Sequence, residues 1–503
     1  MSLIGVDIGS QSTKAYAINT EGALLASSSF SYDISYPNPG WAEEDANLWW
    51  VGTKQVLKDI LKKVNPKDIS GIAFSGQAPT ILPIDRRGNP LMPAIIWIDH
   101  RSTEECKIIE DKIGQKKVFA ISGNRIDPYF GGAKILWLKR NRPTVYKKAW
   151  KILQSHSYPI FKLTGQTVTD YSTAGLCSPI FNYTEKKWSH EMIDDLQLNP
   201  ELLPQIAQSN KIAGEVTSEA CEEVGLRKGT PVIVGGADAM VSMLSVGVIE
   251  EGDVAIMLGT ACNFLLPMKS PKFDERLLGT MHVVKDTYTV IGGSFAGGVL
   301  KWLKDQIMDI EAAFFKDSSM SLYEVMDKKA SNLPAGSEDL VMLPYFIGGL
   351  APVWSPHARG VYFGLNPKHG KAHLYRAVLE AAGYSFLYAA SIMKEKGVHP
   401  KMIYGVNGGA KSRLWRQILS DILGIPFVYV KNNMGTPMGA AVLAGVGTGV
   451  FRDEKVVKDW MKIDETNYPI EANNRKYKKY FNIYTELSER TKELFPLLSS
   501  TNY

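Results

Sequence analysis

The letters GVDIGSQSTK near the amino terminus have the residue types and spacing needed to hold a nucleotide triphosphate. Asp7 ends an apolar, strand-like run, and a turn of small and hydroxylated residues separates it from Lys14. The backbone and side chains of Gly9, Ser12 and Thr13 can surround phosphates, and Asp7 can hold a magnesium ion through water. An ordinary polar hairpin has the same composition, because glycine and serine dominate turns.

A second turn of the same kind lies far along the chain. Gly259-Thr260 follows the strand-like run Val254–Leu258, and the strand-like run Cys262–Leu266 comes next. The chain contains neither GxxxxGK[ST] nor a strand-linked GxGxxG, so the other common phosphate loops are absent from the sequence. Two facing hairpin turns that grip one triphosphate are typical of the hexokinase, actin and heat-shock ATPase superfamily.

Asp238 has the position expected of a general base. It follows the short apolar run Pro231–Val234 and two glycines. Phosphoryl transfer to an alcohol needs a carboxylate that takes the hydroxyl proton, while alignment and charge neutralisation do the rest. A turn aspartate that bonds its own backbone would look the same.

The segment around Trp97 combines charged and aromatic residues suited to a sugar. Asp99 and Arg101 are two apart on a segment predicted to be extended, so they and Trp97 are expected to project to one side. Charged hydrogen bonds and an indole face would then bind sugar hydroxyls and an apolar sugar face. Gln77, in the turn after another buried strand, is a further candidate. A surface ion pair and a core tryptophan are the alternative.

Glycine-rich connections in the second half could allow close approach of a flat ligand such as adenine. Gly408, Gly409 and Ala410 lie between a strand-like run and a helix, and Gly298 lies in a similar connection. Plain strand–helix connections or tight helix packing explain these glycines nearly as well.

These residues are placed by two α/β halves, each of which opens with a hairpin. The boundary is expected near residue 245, which gives domains 1–245 and 246–503. A helix capped by Asp45 and ended by Pro66 follows the first hairpin, and the stretch Ala94–Ile98 is strand-like. The stretch 472–496 is predicted to be a helix that Pro496 ends.

Composition excludes several other classes of protein. The 503 residues carry a net charge of only +5 with scattered basic residues, so no nucleic-acid or membrane-surface partner is expected. No apolar run approaches the roughly 20 residues of a membrane span. The four cysteines lie far apart, which disfavours a zinc site or a disulfide framework. A cytoplasmic protein is expected.

Taken together, these motifs resemble the FGGY carbohydrate kinases, most closely their xylulokinase-like branch. The resemblance covers nearly the whole chain. Its most specific pieces are WIDHR at 97–101, ARGVYFGL at 358–365 and GGAKSRLWRQ at 408–417.

The resemblance implies two ribonuclease-H-like domains around a central cleft and transfer of phosphate from ATP, with Mg2+, to a terminal hydroxyl of a small sugar or polyol. Asp238 falls on the catalytic base, Asp7 on the metal-associated aspartate and Asp99 on a substrate-contacting aspartate. The implied nucleotide contacts are Ser12, Thr13, Gly259, Thr260, Gly298, Gly408, Gly409 and Ala410. A homodimer is expected by analogy with relatives.

Departures from the xylulokinase pattern concern the acceptor. After Gln77 that pattern continues Met-His-Gly, whereas this chain reads Ala78-Pro79-Thr80, and a Gly-Glu-Arg-x-Pro segment is replaced at 348–352. A ketopentose such as D-xylulose is the expected acceptor, with another sugar, an aldonate or a polyol as alternatives. Two other classes stay open, namely a kinase-derived sugar sensor with little turnover and a chaperone-like ATPase driven by a protein partner.

Overall fold

The computed structural model describes residues 1–316, 318–349 and 351–499 of the chain. It contains two large mixed β-sheets with helices between them and on their outer faces. Each sheet is built around a hairpin followed by parallel strands, as the two halves of the sequence predict.

The first sheet has six strands in the order β13-β14-β5-β1-β2-β3. Strands β1, β5 and β14 are parallel, and the other pairings are antiparallel. The strands of this half are β1 (Ser2–Ile8), β2 (Ser12–Asn19), β3 (Leu24–Ser31), β4 (Glu43–Glu44), β5 (Ile69–Gly76), β6 (Leu82–Ile84), β7 (Ala94–Ile95), β8 (Lys151–Leu153), β9 (Val168–Asp170), β10 (Phe181–Asn182), β11 (Lys187–Trp188), β12 (Gln205–Ala207), β13 (Ile212–Glu215) and β14 (Pro231–Ala237).

The second sheet has seven strands in the order β17-β18-β16-β15-β21-β22-β23. Its parallel strands are β15, β21 and β22, so its centre repeats the plan of the first sheet. The strands of this half are β15 (Asp253–Leu258), β16 (Cys262–Met268), β17 (Leu278–Met281), β18 (Tyr288–Ser294), β19 (Val341–Leu343), β20 (Val361–Phe363), β21 (Met402–Val406), β22 (Phe427–Val430) and β23 (Ile463–Asn467).

Nineteen α-helices lie in the described part of the chain, together with a π-helical stretch at Leu303–Ile307 and short 3-10 turns. They are α1 (Ala46–Leu61), α2 (Thr103–Lys112), α3 (Gln115–Ser122), α4 (Gly131–Asn141), α5 (Pro143–Lys148), α6 (Ser157–Thr164), α7 (Tyr171–Ala174), α8 (His190–Asp195), α9 (Ser218–Val224), α10 (Asp238–Ser245), α11 (Ala296–Trp302), α12 (Asp309–Phe314), α13 (Leu322–Ser331), α14 (Lys371–Glu395), α15 (Arg413–Leu423), α16 (Thr436–Gly447), α17 (Val456–Trp460), α18 (Glu471–Thr491) and α19 (Phe495–Ser499).

The two sheets share a central helical layer. Helices α10 and α16 pack between them, in an apolar cluster that includes Ala73 and Ile233 of the first sheet with Ala255 and Val406 of the second. The layer is tight, because a Cβ added at Gly5 would lie 1.9 Å from the carbonyl oxygen of Pro437. Strand alternation turns Ile4, Val6 and Ile8 to the opposite face, where they belong to one apolar cluster with residues of α1.

Helix α1 shows how local sequence sets an element. The side chain of Asp45 accepts a hydrogen bond from the backbone of Asn47 at its first turn, as the predicted cap requires. Trp49, Val56 and Ile60 recur on its buried face.

Three predicted elements differ from the structure. The helix predicted to end at Pro66 ends at Leu61, and Pro66 begins a 3-10 turn. The strand-like stretch Ala94–Ile98 is a strand only at β7, and the residues after it form a turn. The predicted helix 472–496 ends at Thr491, and Pro496 lies in the first turn of α19 instead of ending α18. In the described ranges, no helix combines the length and apolar character that a membrane crossing requires.

Candidate functional site

The first predicted phosphate turn sits at the edge of the central layer. Asp7 on β1 and Lys14 on β2 are direct register partners, so both side chains lie on the same face. The Ser75 hydroxyl donates a 2.9 Å hydrogen bond to Oδ1 of Asp7. Burial raises the pKa of Asp7 to about 6, although Ser75 and the positive charge of Lys14 both act to lower it.

The hairpin divides the other predicted phosphate residues between its two faces. Thr13 is fully buried, and its hydroxyl faces α1, where a Cβ added at Gly52 would lie 2.9 Å from it. The turn residues Gly9 and Ser12 keep partial exposure, and Lys14 is exposed. A phosphate in the cleft could therefore meet the backbone of Thr13 but not its hydroxyl.

Asp238 stands where β14 ends and α10 begins. It is partly exposed, and the backbone N–H of Ala239 donates a 2.7 Å hydrogen bond to its Oδ1. Burial and the negative charge of Asp7 raise the pKa of Asp238 to about 7. A carboxylate with a pKa near neutrality can accept a proton from a hydroxyl group and release it again.

The position of Asp238 is fixed through hydrogen bonds of the residue that precedes it, Ala237. The backbone N–H of Ala237 donates a 3.0 Å hydrogen bond to Oγ of Ser172, which in turn donates to Asp170. Asp170 also accepts hydrogen bonds from the Ser172 and Thr173 backbones and from Ser209. The start of α10 is thus fixed by a buried polar network.

The second predicted phosphate turn depends on close backbone packing. The backbone N–H of Gly298 donates a 2.9 Å hydrogen bond to the carbonyl oxygen of Thr260. A Cβ added at Gly297 would lie 1.8 Å from the carbonyl oxygen of Gly259. Helix α11 can approach this turn this closely only because Gly297 has no side chain.

A cavity of about 310 Å³ joins residues from both halves of the chain. Asp7 and Lys14 line it from the first half, and Gly408 and Ala410 line it from the second. Gly409 is turned away from the cavity, because a Cβ there would lie 2.7 Å from side-chain atoms of Leu258 and Trp415. Tyr16, Tyr429, Lys431 and Asn433 also line the cavity, and the sequence had not singled them out.

Trp97 and Tyr129 contact each other and are not part of the lining of this cavity. Their rings meet edge to face with centroids 6.4 Å apart, and the Tyr129 hydroxyl donates to the carbonyl oxygen of Ala78 at 3.2 Å. Burial raises the pKa of Tyr129, and the negative charge of Asp238 adds to the effect. Tyr129 thus lies near both Trp97 and Asp238, which the sequence had not indicated.

Asp99 and Arg101 form a buried ion pair with each other. Oδ2 of Asp99 accepts hydrogen bonds from Nη2 of Arg101 at 2.7 Å and from the Ala42 backbone at 2.5 Å. The Arg101 guanidinium also contacts Glu43 at 2.7 Å and lies 3.8 Å from the ring centroid of Trp41. Both charged side chains are fully buried, so the structure gives them partners within the protein instead of a free face toward the cleft.

Gln77 is buried in the same way, and its amide contacts Ser10 and Glu44. Of the five residues predicted to bind the acceptor, only Trp97 and Asp238 are partly exposed. Of the buried three, Asp99 and Arg101 follow Trp97 on the same loop, and Gln77 is linked to Trp97 through Ser10.

The donor set fits a magnesium ion held chiefly by phosphates. In the described ranges, no group of three or more His, Cys, Asp or Glu side chains could hold a metal by itself. Mg2+ commonly uses one or two carboxylates together with substrate phosphates and water. Asp7 supplies such a carboxylate at the cavity, and Lys14 lies beside it.

Comparisons with known proteins bear on the family and the fold of the chain. The model of the FGGY family of carbohydrate kinases matches residues 2–245 with its N-terminal domain and residues 254–448 with its C-terminal domain. The chain is 31% identical over 508 aligned residues to a xylulose kinase of Staphylococcus epidermidis, with 99% of each chain covered.

Solved structures show the same two-domain fold. The crystal structure of a xylulose kinase from Rhodospirillum rubrum superposes with a TM-score of 0.89 at 29% identity, covering 98% of this chain and 100% of that one. A gluconate kinase from Lactobacillus acidophilus superposes with a TM-score of 0.90 at 26% identity, covering 99% of both chains. The predicted fold of two domains facing a cleft is confirmed.

Proposed function

The chain belongs to the FGGY family of carbohydrate kinases, and we propose that it transfers the γ-phosphoryl group of ATP to a terminal hydroxyl of a small sugar or polyol. The observation that carries this proposal is the placement of Asp7 and Asp238 at the same end of the parallel strands β1 and β14, close enough that the charge of Asp7 raises the pKa of Asp238. The glycine-rich Gly408–Lys411 segment of the other half lies across the cavity from Asp7.

We assign each of these residues a separate role in the reaction. Asp238 accepts the proton of the acceptor hydroxyl, whose oxygen forms a bond to the γ-phosphorus as the bond to the β-phosphate oxygen breaks and ADP leaves. Lys14 and the backbone of the two turns neutralise and orient the phosphates. Asp7 would hold Mg2+ through water, and the bound ion would neutralise further phosphate charge.

A ketopentose such as D-xylulose is the proposed acceptor, since relatives named xylulose kinase align over nearly the whole chain. An aldonate is the second candidate. It is favoured by the fit to a gluconate kinase and by Ala78-Pro79, which stand where the xylulokinase pattern has Met-His. Trp97 and Tyr129 would form the wall of the acceptor site in either case.

ADP release with Mg-ATP, measured against pentuloses, hexuloses, aldonates and polyols, tests the proposal. One acceptor is expected to be strongly preferred, and Asp238→Asn should lower kcat for it by about 100- to 10,000-fold because the general base is lost. ATP binding by this variant, measured by calorimetry, should stay nearly normal. Near-normal turnover by Asp238→Asn would remove Asp238 from the mechanism, and no stimulation of the native enzyme by any acceptor would contradict the proposed function.

A further inference from the structure

A continuous chain of hydrogen bonds runs from Trp97 into the core of the first half. The indole Nε1 of Trp97 donates to Oγ of Ser10 at 3.1 Å, and the Ser10 hydroxyl donates to Oε1 of Gln77 at 3.0 Å. Nε2 of Gln77 donates to Oε2 of Glu44 at 2.8 Å. Nε1 of Trp49 donates to the same oxygen at 2.7 Å, and so closes the chain inside the protein.

Each hydrogen bond in this chain has a defined donor and a defined acceptor. The Glu44 oxygen accepts, so the amide nitrogen of Gln77 must point toward it and the amide oxygen toward Ser10. The Ser10 hydroxyl hydrogen is then committed to Gln77, which leaves its lone pairs for the indole N–H of Trp97, a group that can only donate. The orientation of Gln77 set by Glu44 therefore fixes both Ser10 and Trp97.

We propose that Glu44 is a positioning residue that, through Gln77 and Ser10, holds the Trp97 indole and the first phosphate turn in register. This inference rests on the proposed function, in which Trp97 lines the acceptor site and residues 9–12 meet the phosphates. Glu44 itself is 2% exposed and acts only through the residues it contacts. Acceptor site and phosphate turn are thereby joined by one buried chain.

The local cost of Glu44 supports a role beyond packing. Its second carboxyl oxygen, Oε1, is buried and has no hydrogen-bond partner. Burial raises the pKa of Glu44 to about 7, although the hydrogen bonds from Gln77 and Trp49 act to lower it. A buried polar atom without a hydrogen-bond partner destabilises a fold, so Glu44 is present at a local cost in stability.

The two-residue strand β4 directs the Glu44 side chain toward Gln77. Its adjacent glutamates point to opposite sides, because side chains alternate along a strand. Glu43 contacts Arg101, the partner of Asp99, while Glu44 contacts Gln77. Strand β4 pairs with β7, just before the loop that carries Trp97, so this loop is held from both sides.

Two substitutions in the full-length enzyme test the proposal. Glu44→Ala frees the amide of Gln77 and should lower kcat/KM for the preferred acceptor by about 10- to 100-fold, since small displacements at a reaction site have effects of this size. Glu44→Gln keeps an acceptor oxygen for both donors and should stay within about threefold of the native enzyme. Equal losses in both variants would overturn the assignment.

A spectroscopic measurement tests the chain without any substrate. Subtraction of the emission of Trp97→Phe, made in the same background, isolates the fluorescence of Trp97. Glu44→Ala should shift this emission, and Glu44→Gln should not. Ser10→Ala, which cuts the chain in a partly exposed turn, should give the same shift even if Glu44→Ala does not fold. An unchanged Trp97 emission in Ser10→Ala and Glu44→Ala would overturn the proposal.

Glu105 offers a matched control in the same half of the chain. One of its oxygens accepts from Arg140 at 2.5 Å and Asn141 at 3.1 Å, and the other is buried without a partner, as in Glu44. Glu105→Ala should lower the unfolding temperature about as much as Glu44→Ala, yet leave Trp97 emission unchanged. An equal emission shift in this control would show that Glu44 contributes only to stability.

A native enzyme that phosphorylates no acceptor would contradict the proposed function alone, because the emission measurement needs no substrate.

Discussion

The two proposed phosphate turns have the same backbone plan but different residues at matching positions. Each is a three-residue connection within a hairpin, between β1 and β2 or between β15 and β16. The register pair two positions before the first turn is Asp7 and Lys14, whereas the corresponding pair of the second hairpin is Met257 and Asn263. At this register position, charge thus occurs in the first hairpin and not in the second.

The two turns are also supported in different ways. The first has a polar chain behind it, in which Ser10 contacts Gln77 and Trp97. The second is packed against the start of α11, where Gly297 leaves room for the carbonyl of Gly259. In the proposed reaction, the first turn would supply electrostatics and a link to the acceptor, while the second would supply a surface of backbone groups at a fixed position.

Of the substitutions that distinguish the two hairpins, Asp7→Asn should cause the largest fall in kcat. It removes the carboxylate proposed to hold Mg2+, and we expect kcat to fall on the order of 100- to 1,000-fold, as when a group that stabilises transition-state charge is lost. Met257→Leu, at the corresponding register position, should change kcat by less than about threefold because the substitution keeps volume and charge. Comparable losses in steady-state assays of the two variants would show that the hairpins share the charge chemistry.

Gly297→Ala should have a smaller effect, which acts on the second turn alone. The added Cβ would lie 1.8 Å from the carbonyl oxygen of Gly259, so the turn or helix α11 must move. We expect a loss of about 1–3 kcal/mol in the free energy of unfolding, as for other overpacked sites, with a raised KM for ATP. Thermal unfolding and ATP titration measure both quantities.

Gly9→Ala is the matched change in the first turn. Its Cβ would lie 3.4 Å from the nearest atom, the carbonyl oxygen of Ser12, which is an ordinary contact. The unfolding temperature should therefore change little. A larger destabilisation by Gly9→Ala than by Gly297→Ala would reverse the proposed difference between the turns.

The sequence predicted the repeated plan because its physical signals are local. Short apolar runs ended by glycine, serine and threonine mark the hairpins and the strand ends, and Asp7, Asp238 and the Gly408–Lys411 segment follow directly from them. The end of α18 was not predicted, because a proline that stops one helix can also occupy the first turn of the next.

The parts of the site that were missed depend on which way a side chain faces after folding. The spacing of Asp99 and Arg101 shows that they can meet, but it does not show that Glu43 and two tryptophans enclose them. Glu44 gave no signal at all, since glutamate is almost always exposed and its neighbour Glu43 has the same side chain. Only the pairing of β4 with β7 separates the two glutamates.

The pH dependence of turnover should show the smallest effect. It tests whether the negative charge of Asp7, in the first hairpin, raises the pKa of Asp238. Asp238 must be ionised to accept a proton, and its pKa is raised to about 7, first by burial and then by the charge of Asp7. In the native enzyme, kcat/KM for the acceptor should therefore fall as the pH drops below about 7. Loss of the Asp7 charge in Asp7→Asn lowers the pKa of Asp238, so the acid limb of the remaining activity should move to lower pH.

Asn263→Ala is the control for this measurement, because it changes the corresponding position of the second hairpin without altering charge. Its acid limb should coincide with that of the native enzyme. Because burial is the larger cause of the raised pKa, the limb of Asp7→Asn should also stay well above the ordinary aspartate value of 3.8. An acid limb that does not move in Asp7→Asn would show that burial alone sets the pKa of Asp238, and that the two carboxylates act independently.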